Sequence, residues 1–174
     1  TKFHPIGNLK AIYKKINIKN KKFISIIQDM PTKHNIRLWP GLYMCNYQQY
    51  IESQNTFLKR LNKKVYSDIK IRLGSNLRHG STNNLLEFEK KTWLNIHPDL
   101  KYESRDKNIY LTLENSYLTI ITTVTSTLFL ECLSFNIPFL IFASDYKDIL
   151  STKTLKDFTK LEKNNILYSS SKKL

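Results

Sequence analysis

The sequence contains few glycines and few cysteines, and these shortages exclude several kinds of site. Only four of its 174 residues are glycine, and none of them forms a GxGxxG fingerprint or a Walker A loop. Cys45 and Cys132 are too few and too far apart for a disulfide framework or a four-ligand zinc site. The sequence therefore argues against a dinucleotide dehydrogenase and against an NTPase, and it fits a reduced, cytoplasmic protein.

Acidic residues are also scarce. The chain has 14 Asp and Glu against 28 Lys and Arg, which gives a formal net charge of +14. The lysines are dispersed in pairs such as Lys14 and Lys15, with no long basic block. A strong positive field favours anionic partners, which include nucleotide-linked substrates, anionic lipid headgroups and nucleic acid. Charge alone does not choose among these partners.

The first ten residues, TKFHPIGNLK, lack the apolar core of a signal peptide and do not begin with methionine. We therefore expect a piece of a longer protein. Residues 1–20 are expected to be a linker or the tail of a preceding domain. Residues 21–174 are expected to form one domain that is truncated at its carboxyl end.

The most apolar stretch is YLTIITTVTSTLFLECLSFNIPFLIF, Tyr117 to Phe142, and it is long enough for a membrane-spanning helix. Glu131 near its middle argues against a span, because a charge near the bilayer centre costs at least about 2.5 kcal/mol. Pro138 would also interrupt the second half. The same residues fit a strand, YLTIIT, a polar turn, a short helix, TLFLECLSFN, and a second buried strand, IPFLIF. We predict this strand–turn–helix–strand unit.

Strands and helices alternate on both sides of this unit. KFISIIQD and SDIKIRLG predict strands, whereas YQQYIESQNTFLKRLNKK and TNNLLEFEKKTWL predict helices. RDKNIYLTLENS is ambiguous but fits a helix, STKTLKDFTKLEKN predicts another helix, and NILYS predicts a last strand. This order predicts an α/β, Rossmann-like domain, in which a parallel sheet carries helices on both faces.

A candidate anion site lies where the first strand of the apolar unit enters its helix. In doubly wound sheets, ligands bind beyond the carboxyl ends of the strands, next to helix N-termini whose N–H groups attract phosphate. Thr125, Ser126 and Thr127 occupy this place, and their hydroxyls add donors. The alternative is that Thr125 or Ser126 only caps the helix.

Charged residues surround the same edge of the predicted sheet. Glu131 lies one helical turn after Thr127, where its carboxylate can accept hydrogen bonds from ribose hydroxyls; the alternative is a partly exposed helix carboxylate. Arg72 ends the strand DIKIRLG and can bind a phosphate or carboxylate. Arg78 and His79 follow in the next loop as candidate sugar contacts, although Arg78 fits a surface salt bridge equally well. No catalytic residue and no metal ligand can be assigned from these patterns.

The stretch from Tyr117 to Phe142 and its surroundings resemble the C-terminal domain of transferases of bacterial surface-carbohydrate biosynthesis, a family similar to GT-B glycosyltransferases. The family pattern is Thr-Tyr-Asn-Ser-Thr-Thr-x-Leu-Glu after a strand, then Leu-Ala-x-Asn-x-Pro-Thr before the next strand. The positions that match it here are Ser126, Thr127, Leu130, Glu131, Asn136 and Pro138. Val124, Thr125 and Phe139 depart from the pattern, and the Trp and Glu-x-Arg expected after the second strand are absent.

The resemblance implies the donor-binding C-terminal half of a GT-B enzyme, whose N-terminal acceptor domain is missing from this sequence. It implies that Ser126, Thr127 and Arg72 hold the phosphate of a nucleotide-sugar donor and that Glu131 holds its ribose. No cofactor beyond that donor is implied. The expected function is sugar transfer to a lipid-linked or glycan acceptor of lipopolysaccharide or capsule, in the cytoplasm or at the inner face of the cytoplasmic membrane.

Two alternatives remain open at this point. The donor domains of teichoic-acid-type glycerophosphotransferases also resemble GT-B. A non-catalytic basic module that binds anionic lipid or nucleic acid, the latter being the less favoured partner, would fit the net charge of +14 and aromatic residues such as Trp39 and Trp93.

Overall fold

Six parallel strands form one sheet in the order β3-β2-β1-β4-β5-β6. The structure, a computed structural model, describes residues 22–29, 44–74, 83–103, 106–144 and 146–170. The strands are β1 (Phe23–Ile27), β2 (Ile69–Arg72), β3 (Lys101–Glu103), β4 (Ser116–Ile121), β5 (Phe139–Phe142) and β6 (Leu167–Tyr168). The predicted Rossmann-like α/β sheet is therefore confirmed.

Helices connect these strands throughout the described part of the chain. They are α1 (Met44–Leu58), α2 (Lys63–Ser67), α3 (Asn83–Ile96), α4 (Ile109–Asn115), α5 (Leu128–Ser134), α6 (Tyr146–Ile149) and α7 (Thr152–Lys163). The predictions for residues 1–20, Arg78 and His79 lie outside the described residues. Every helix predicted between residues 47 and 164 is found. The first of them ends earlier than predicted, at Leu58. Asn62 then starts a new helix, because its side chain accepts a hydrogen bond from the Val65 N–H at 2.8 Å.

The sheet has an apolar core on each face. Consecutive residues of a strand point to opposite faces, so Ile120 and Ile121 of β4 enter different cores. Ile120 contacts the cluster formed by β1, β2, α1 and α3, whose central residues include Ile71 and Trp93. Ile121 contacts the cluster formed by α4 and α5, which includes Leu113. Burial on both faces explains why four of the six residues of β4 are apolar.

The apolar stretch from Tyr117 to Phe142 folds as the sequence predicted. It forms β4, a turn, α5 and β5. Asn136 ends α5 with a positive φ of 54°, which asparagine tolerates better than most residues. The Ile137 N–H then donates to the Cys132 carbonyl at 2.9 Å, as in a Schellman motif. Within the described ranges, no helix is long and apolar enough to cross a membrane.

The strand order places a crevice between β1 and β4. The chain builds β1, β2 and β3 in one direction and then returns to add β4, β5 and β6 on the other side of β1. β1 is therefore followed by a strand on one side and β4 by a strand on the other. Ligands of such sheets bind at this switch point beyond the carboxyl ends of the strands. Ile27 ends β1 and is paired with Ile121, which ends β4.

Candidate functional site

A cavity of about 370 Å³ lies at the carboxyl ends of β1, β2 and β4. Its volume is within the range of roughly 300–1,000 Å³ that is usual for small-molecule sites. The polar residues that line it are Gln28, Asp29, Arg72, Lys107, Tyr110, Thr123, Ser126, Thr127 and Glu131. The cavity therefore occupies the switch point of the sheet, where a doubly wound fold places its ligands.

Four residues singled out from the sequence meet in this cavity. Arg72 reaches it from the end of β2, Ser126 and Thr127 from the turn after β4, and Glu131 from α5. Thr125 is not among the lining residues: its hydroxyl lies 2.9 Å from that of Thr123. The fold thus brings together side chains that are as much as 59 positions apart in the sequence.

The turn into α5 combines a cap with exposed hydroxyls. The Ser126 Oγ accepts a hydrogen bond from the Leu128 N–H at 3.2 Å, so it satisfies one N–H of the first turn, although Thr127 holds the N-cap position. A hydroxyl that accepts from the backbone still has its own O–H to donate. Thr127 is exposed, and its side chain makes no capping hydrogen bond. Both hydroxyls can therefore act as donors toward an anion in the cavity.

Glu131 is a buried carboxylate at the cavity wall and is not a solvated helix residue. Only 7% of it is exposed, and the Tyr110 hydroxyl donates to its Oε2 at 2.9 Å. The Tyr110 ring in turn meets the Phe135 ring edge-on, with centroids 6.0 Å apart. Packing and hydrogen bonding thus hold the carboxylate in one orientation, as recognition of a pair of hydroxyls requires.

Arg72 is held in place by Glu103 of β3, by the Lys107 carbonyl and by Thr112 of α4. It pairs with Glu103 in the strand register, and its Nη1 lies 3.7 Å from the Glu103 Oε2. The Nη1 group also donates to the Thr112 hydroxyl at 3.0 Å, which donates to Glu103 at 2.8 Å. The Nη2 group donates to the Lys107 carbonyl. Arg72 therefore shapes the cavity wall as well as lining it.

A directed chain of hydrogen bonds fixes the switch point itself. The Thr122 hydroxyl donates its one proton to the Ile27 carbonyl at 2.7 Å, so in its 2.6 Å contact with Tyr50 it must be the acceptor. The Tyr50 oxygen accepts from the Asp29 N–H at 2.8 Å. Burial, followed by the Asp29 carboxylate, raises the pKa of Tyr50 above its ordinary value. The neutral phenol therefore ties α1 to the ends of β1 and β4.

Sequence reasoning missed five polar residues of the cavity wall. Gln28 and Asp29 directly follow β1, so the rule about carboxyl ends of strands would have pointed to them. Thr123 lies in the predicted polar turn but was not singled out there. Lys107 and Tyr110 follow β3, a strand that was not predicted because its three residues, KYE, show no apolar alternation. Nothing in the sequence placed these two residues near β1.

Cys132, next to Glu131, is buried in the core behind the cavity. Burial, together with the Glu131 carboxylate, raises the pKa of its thiol to about 12. Because the thiolate is the reactive form, this cysteine is a poor nucleophile. In the described part of the chain, no group of three His, Cys, Asp or Glu is placed to hold a metal ion.

His97 is buried but does not line the cavity. Its Nε2 faces the Asn55 Oδ1 at 3.0 Å, and an amide oxygen can only accept, so the proton of the neutral ring is on Nε2. Its Nδ1 lies 2.9 Å from the Tyr66 hydroxyl and accepts from it. The ring therefore has a structural role between α1, α2 and α3.

We expect His97 to make the fold sensitive to acid. Burial, followed by the positive charge of Lys59, lowers the pKa of His97 below its ordinary value of 6.5. The unfolded chain then takes up a proton at a higher pH than the folded chain does. Stability should be complete above pH 6.5 and fall as the pH drops below that value. Urea unfolding between pH 5 and pH 8 measures the effect, and His97→Gln should flatten the profile while the other three histidines remain; an unchanged profile would contradict this role.

The chain matches one protein-family model, described as LIC12162 family transferase, over residues 1–174. A search of curated proteins and a search of solved structures each gave no significant match.

Proposed function

The chain belongs to the LIC12162 family of transferases, and we propose that it transfers a sugar from a nucleotide-sugar donor bound in the cavity between β1 and β4. One observation carries the proposal: Arg72, Ser126, Thr127 and Glu131 converge on this cavity at the switch point of the sheet. We further propose that the domain acts as the donor-binding half of a GT-B-type enzyme. Its acceptor is then a lipid-linked or surface glycan that reaches the cavity at the cytoplasmic membrane face.

The contacts of the cavity fit the two ends of a nucleotide. The hydroxyls of Ser126 and Thr127 can donate to phosphate oxygens, which are acceptors only. The Glu131 carboxylate, held by Tyr110, can accept from the two hydroxyls of a ribose. A phosphate bound at the turn and a ribose bound by Glu131 would both lie beside α5, because these residues are one helical turn apart.

In the proposed reaction, this site stabilises the leaving group. In sugar transfer, an acceptor hydroxyl forms a bond to the anomeric carbon while the bond from that carbon to the donor phosphate oxygen breaks. The electron pair stays on the phosphate, and the acceptor proton passes to a base. Hydroxyl donors fixed at the phosphate favour the charge that develops there. The residues of this domain therefore supply binding and charge stabilisation, and we assign the base to the acceptor side.

Titration of the intact protein with nucleotides tests the proposal. We expect one of CMP, UMP, GMP or CDP to bind in calorimetry. Ser126→Ala should weaken that binding by roughly tenfold, since a hydrogen bond to a charged group contributes about 1.5 kcal/mol or more. Ser134→Ala is a matched control, because its hydroxyl is on the exposed side of α5 and donates to the Leu130 carbonyl at 2.8 Å. Failure of all nucleotides to bind would overturn the proposal.

Glu131→Gln separates the ribose role from a purely structural one. The intact protein should prefer a ribonucleotide to its 2′-deoxy counterpart, because the carboxylate accepts from the 2′-hydroxyl. The preference should be weaker in the variant, because a neutral amide oxygen is a poorer acceptor than a carboxylate, whereas a structural defect would weaken both ligands alike.

A glycerophosphate transferase of the teichoic-acid type would use the same phosphate contacts. The contacts proposed for Ser126, Thr127 and Glu131 would hold the phosphate and ribose of CDP-glycerol as well as those of a nucleotide-sugar. Comparison of CDP-glycerol with nucleotide-sugars as donors in a transfer assay decides between these two substrates.

A further inference from the structure

Three cations surround one buried carboxylate beside the cavity. Glu103 is 7% exposed, and Lys70, Arg72 and Lys107 have a nitrogen 3.7, 3.7 and 3.9 Å from its oxygens. Of the three, Lys107 is the most exposed, at 65% of its side chain. A pair at 3.9 Å with an exposed ammonium contributes little, and its carboxylate is already approached by two other cations. The ammonium of Lys107 can therefore turn toward a ligand at small cost.

The backbone of Lys107 is nevertheless fixed. Arg72 donates to its carbonyl, and the next residue, Asn108, caps α4 by accepting from the Tyr110 N–H at 3.0 Å. The same short segment therefore presents Lys107 and Tyr110 to the cavity. A fixed backbone with an exposed, charged side chain suits a residue that closes on a bound anion.

Lys107 and the hydroxyl turn lie on opposite sides of β1. Lys107 is anchored to the end of β2, whereas Ser126 and Thr127 follow β4. Two inter-strand spacings, about 10 Å, separate β2 from β4. That distance exceeds the size of one phosphate group, so an anion held at Ser126 leaves room for a second anionic group near Lys107.

We infer that Lys107 forms a second anion subsite, so that the donor carries two anionic groups. This inference rests on the proposed function. Arg72 is then a positioning residue for Lys107, and the second group is a second phosphate or a sugar carboxylate. Both present oxygen acceptors to an ammonium.

Paired ligands test the subsite in the full chain by calorimetry. UDP and CDP are compared with UMP and CMP, a CMP-linked acidic sugar with its neutral carboxamide analogue, and inorganic pyrophosphate with phosphate. We expect the ligand with the added anion to bind about tenfold more tightly, as one charge-assisted hydrogen bond allows. Lys107→Met should remove that gap, and its effect on the affinity for the monophosphate should be the smaller one. If the diphosphate binds more tightly than the monophosphate, the group bound by Lys107 is a second phosphate. If the acidic sugar binds more tightly than the neutral one, the group is a carboxylate.

Lys101→Met is the matched control, because it removes the same charge from an exposed position of β3 that does not line the cavity. Equal losses in both variants would show a general field effect and overturn the subsite, as would equal affinity for the paired ligands. Nucleotides that fail to bind while pyrophosphate binding still depends on Lys107 would overturn the proposed function and support the subsite. Thermal unfolding should be unchanged in both variants.

Discussion

Glu103→Leu is expected to lower the free energy of unfolding by about 3–5 kcal/mol, the cost of removing one partner of a buried ion pair. Arg72 is 4% exposed and Glu103 is 7% exposed, so the variant leaves a buried guanidinium without the carboxylate that faces it. The Thr112 hydroxyl also loses its acceptor at 2.8 Å. In a chain of this size the loss corresponds to a fall in Tm of roughly 10 °C, measurable by circular dichroism.

A double substitution separates the charge effect from general damage. Arg72→Met combined with Glu103→Leu removes both charges, and buried pairs replaced by apolar residues often lose little stability. We expect the double variant to be more stable than Glu103→Leu alone. Glu87→Leu, an exposed position on α3, is the control and should change stability by less than about 0.5 kcal/mol. A Glu103→Leu variant as stable as this control would contradict the role of the pair.

The double variant also links stability to binding. It keeps a packed wall but removes the Arg72 hydrogen bond to the Lys107 carbonyl. If Arg72 positions Lys107, the double variant should lose the preference for doubly anionic ligands even where its stability recovers.

The sequence predicted the parts of the fold that bury the most apolar surface. β1 and β4 are central strands covered on both faces, and their apolar runs, FISII and SYLTII, stand out from the polar loops. Ser126 and Glu131 could be identified because they follow the end of β4 within ten residues of the sequence. Arg72 was found for the same reason, because it ends a recognisable strand.

The opposite wall of the cavity could not be predicted, because it depends on a long-range contact. Lys107 and Tyr110 reach the cavity only because β3 pairs with β2, and that pairing extends over three residues. The contact between Tyr110 and Glu131 joins residues 21 positions apart. Neither periodicity nor a motif specifies it, since the tyrosine follows a three-residue strand with no apolar alternation. The sheet order had to be known first.

Tyr50 and Tyr47 both lie on α1, but we expect removal of their hydroxyls to have opposite effects on stability. Their rings lie 6.2 Å apart. Tyr50→Phe leaves the Asp29 N–H without its acceptor and the Thr122 hydroxyl without its donor, so we expect a loss of about 1–3 kcal/mol. The Tyr47 hydroxyl is buried and has no hydrogen-bond partner in the described part of the chain. Its removal by Tyr47→Phe should be neutral or stabilising, because no bond is lost and an unsatisfied group is removed.

The same pair tests whether the switch point is preformed for its ligand. Tyr50 does not line the cavity, whereas Gln28 and Asp29 do. The Tyr50 hydroxyl accepts from the Asp29 N–H and so holds the peptide bond between these two residues. With that peptide released, nucleotide affinity should fall by about tenfold, which is 1.4 kcal/mol, whereas Tyr47→Phe should bind as the unmodified protein does. Urea unfolding and calorimetry on both variants give the two numbers. The hydrogen bonds that link Asp29, Tyr50, Thr122 and Ile27 are expected to hold the strands and the cavity in place. Equal stability and equal affinity in the two variants would contradict that role.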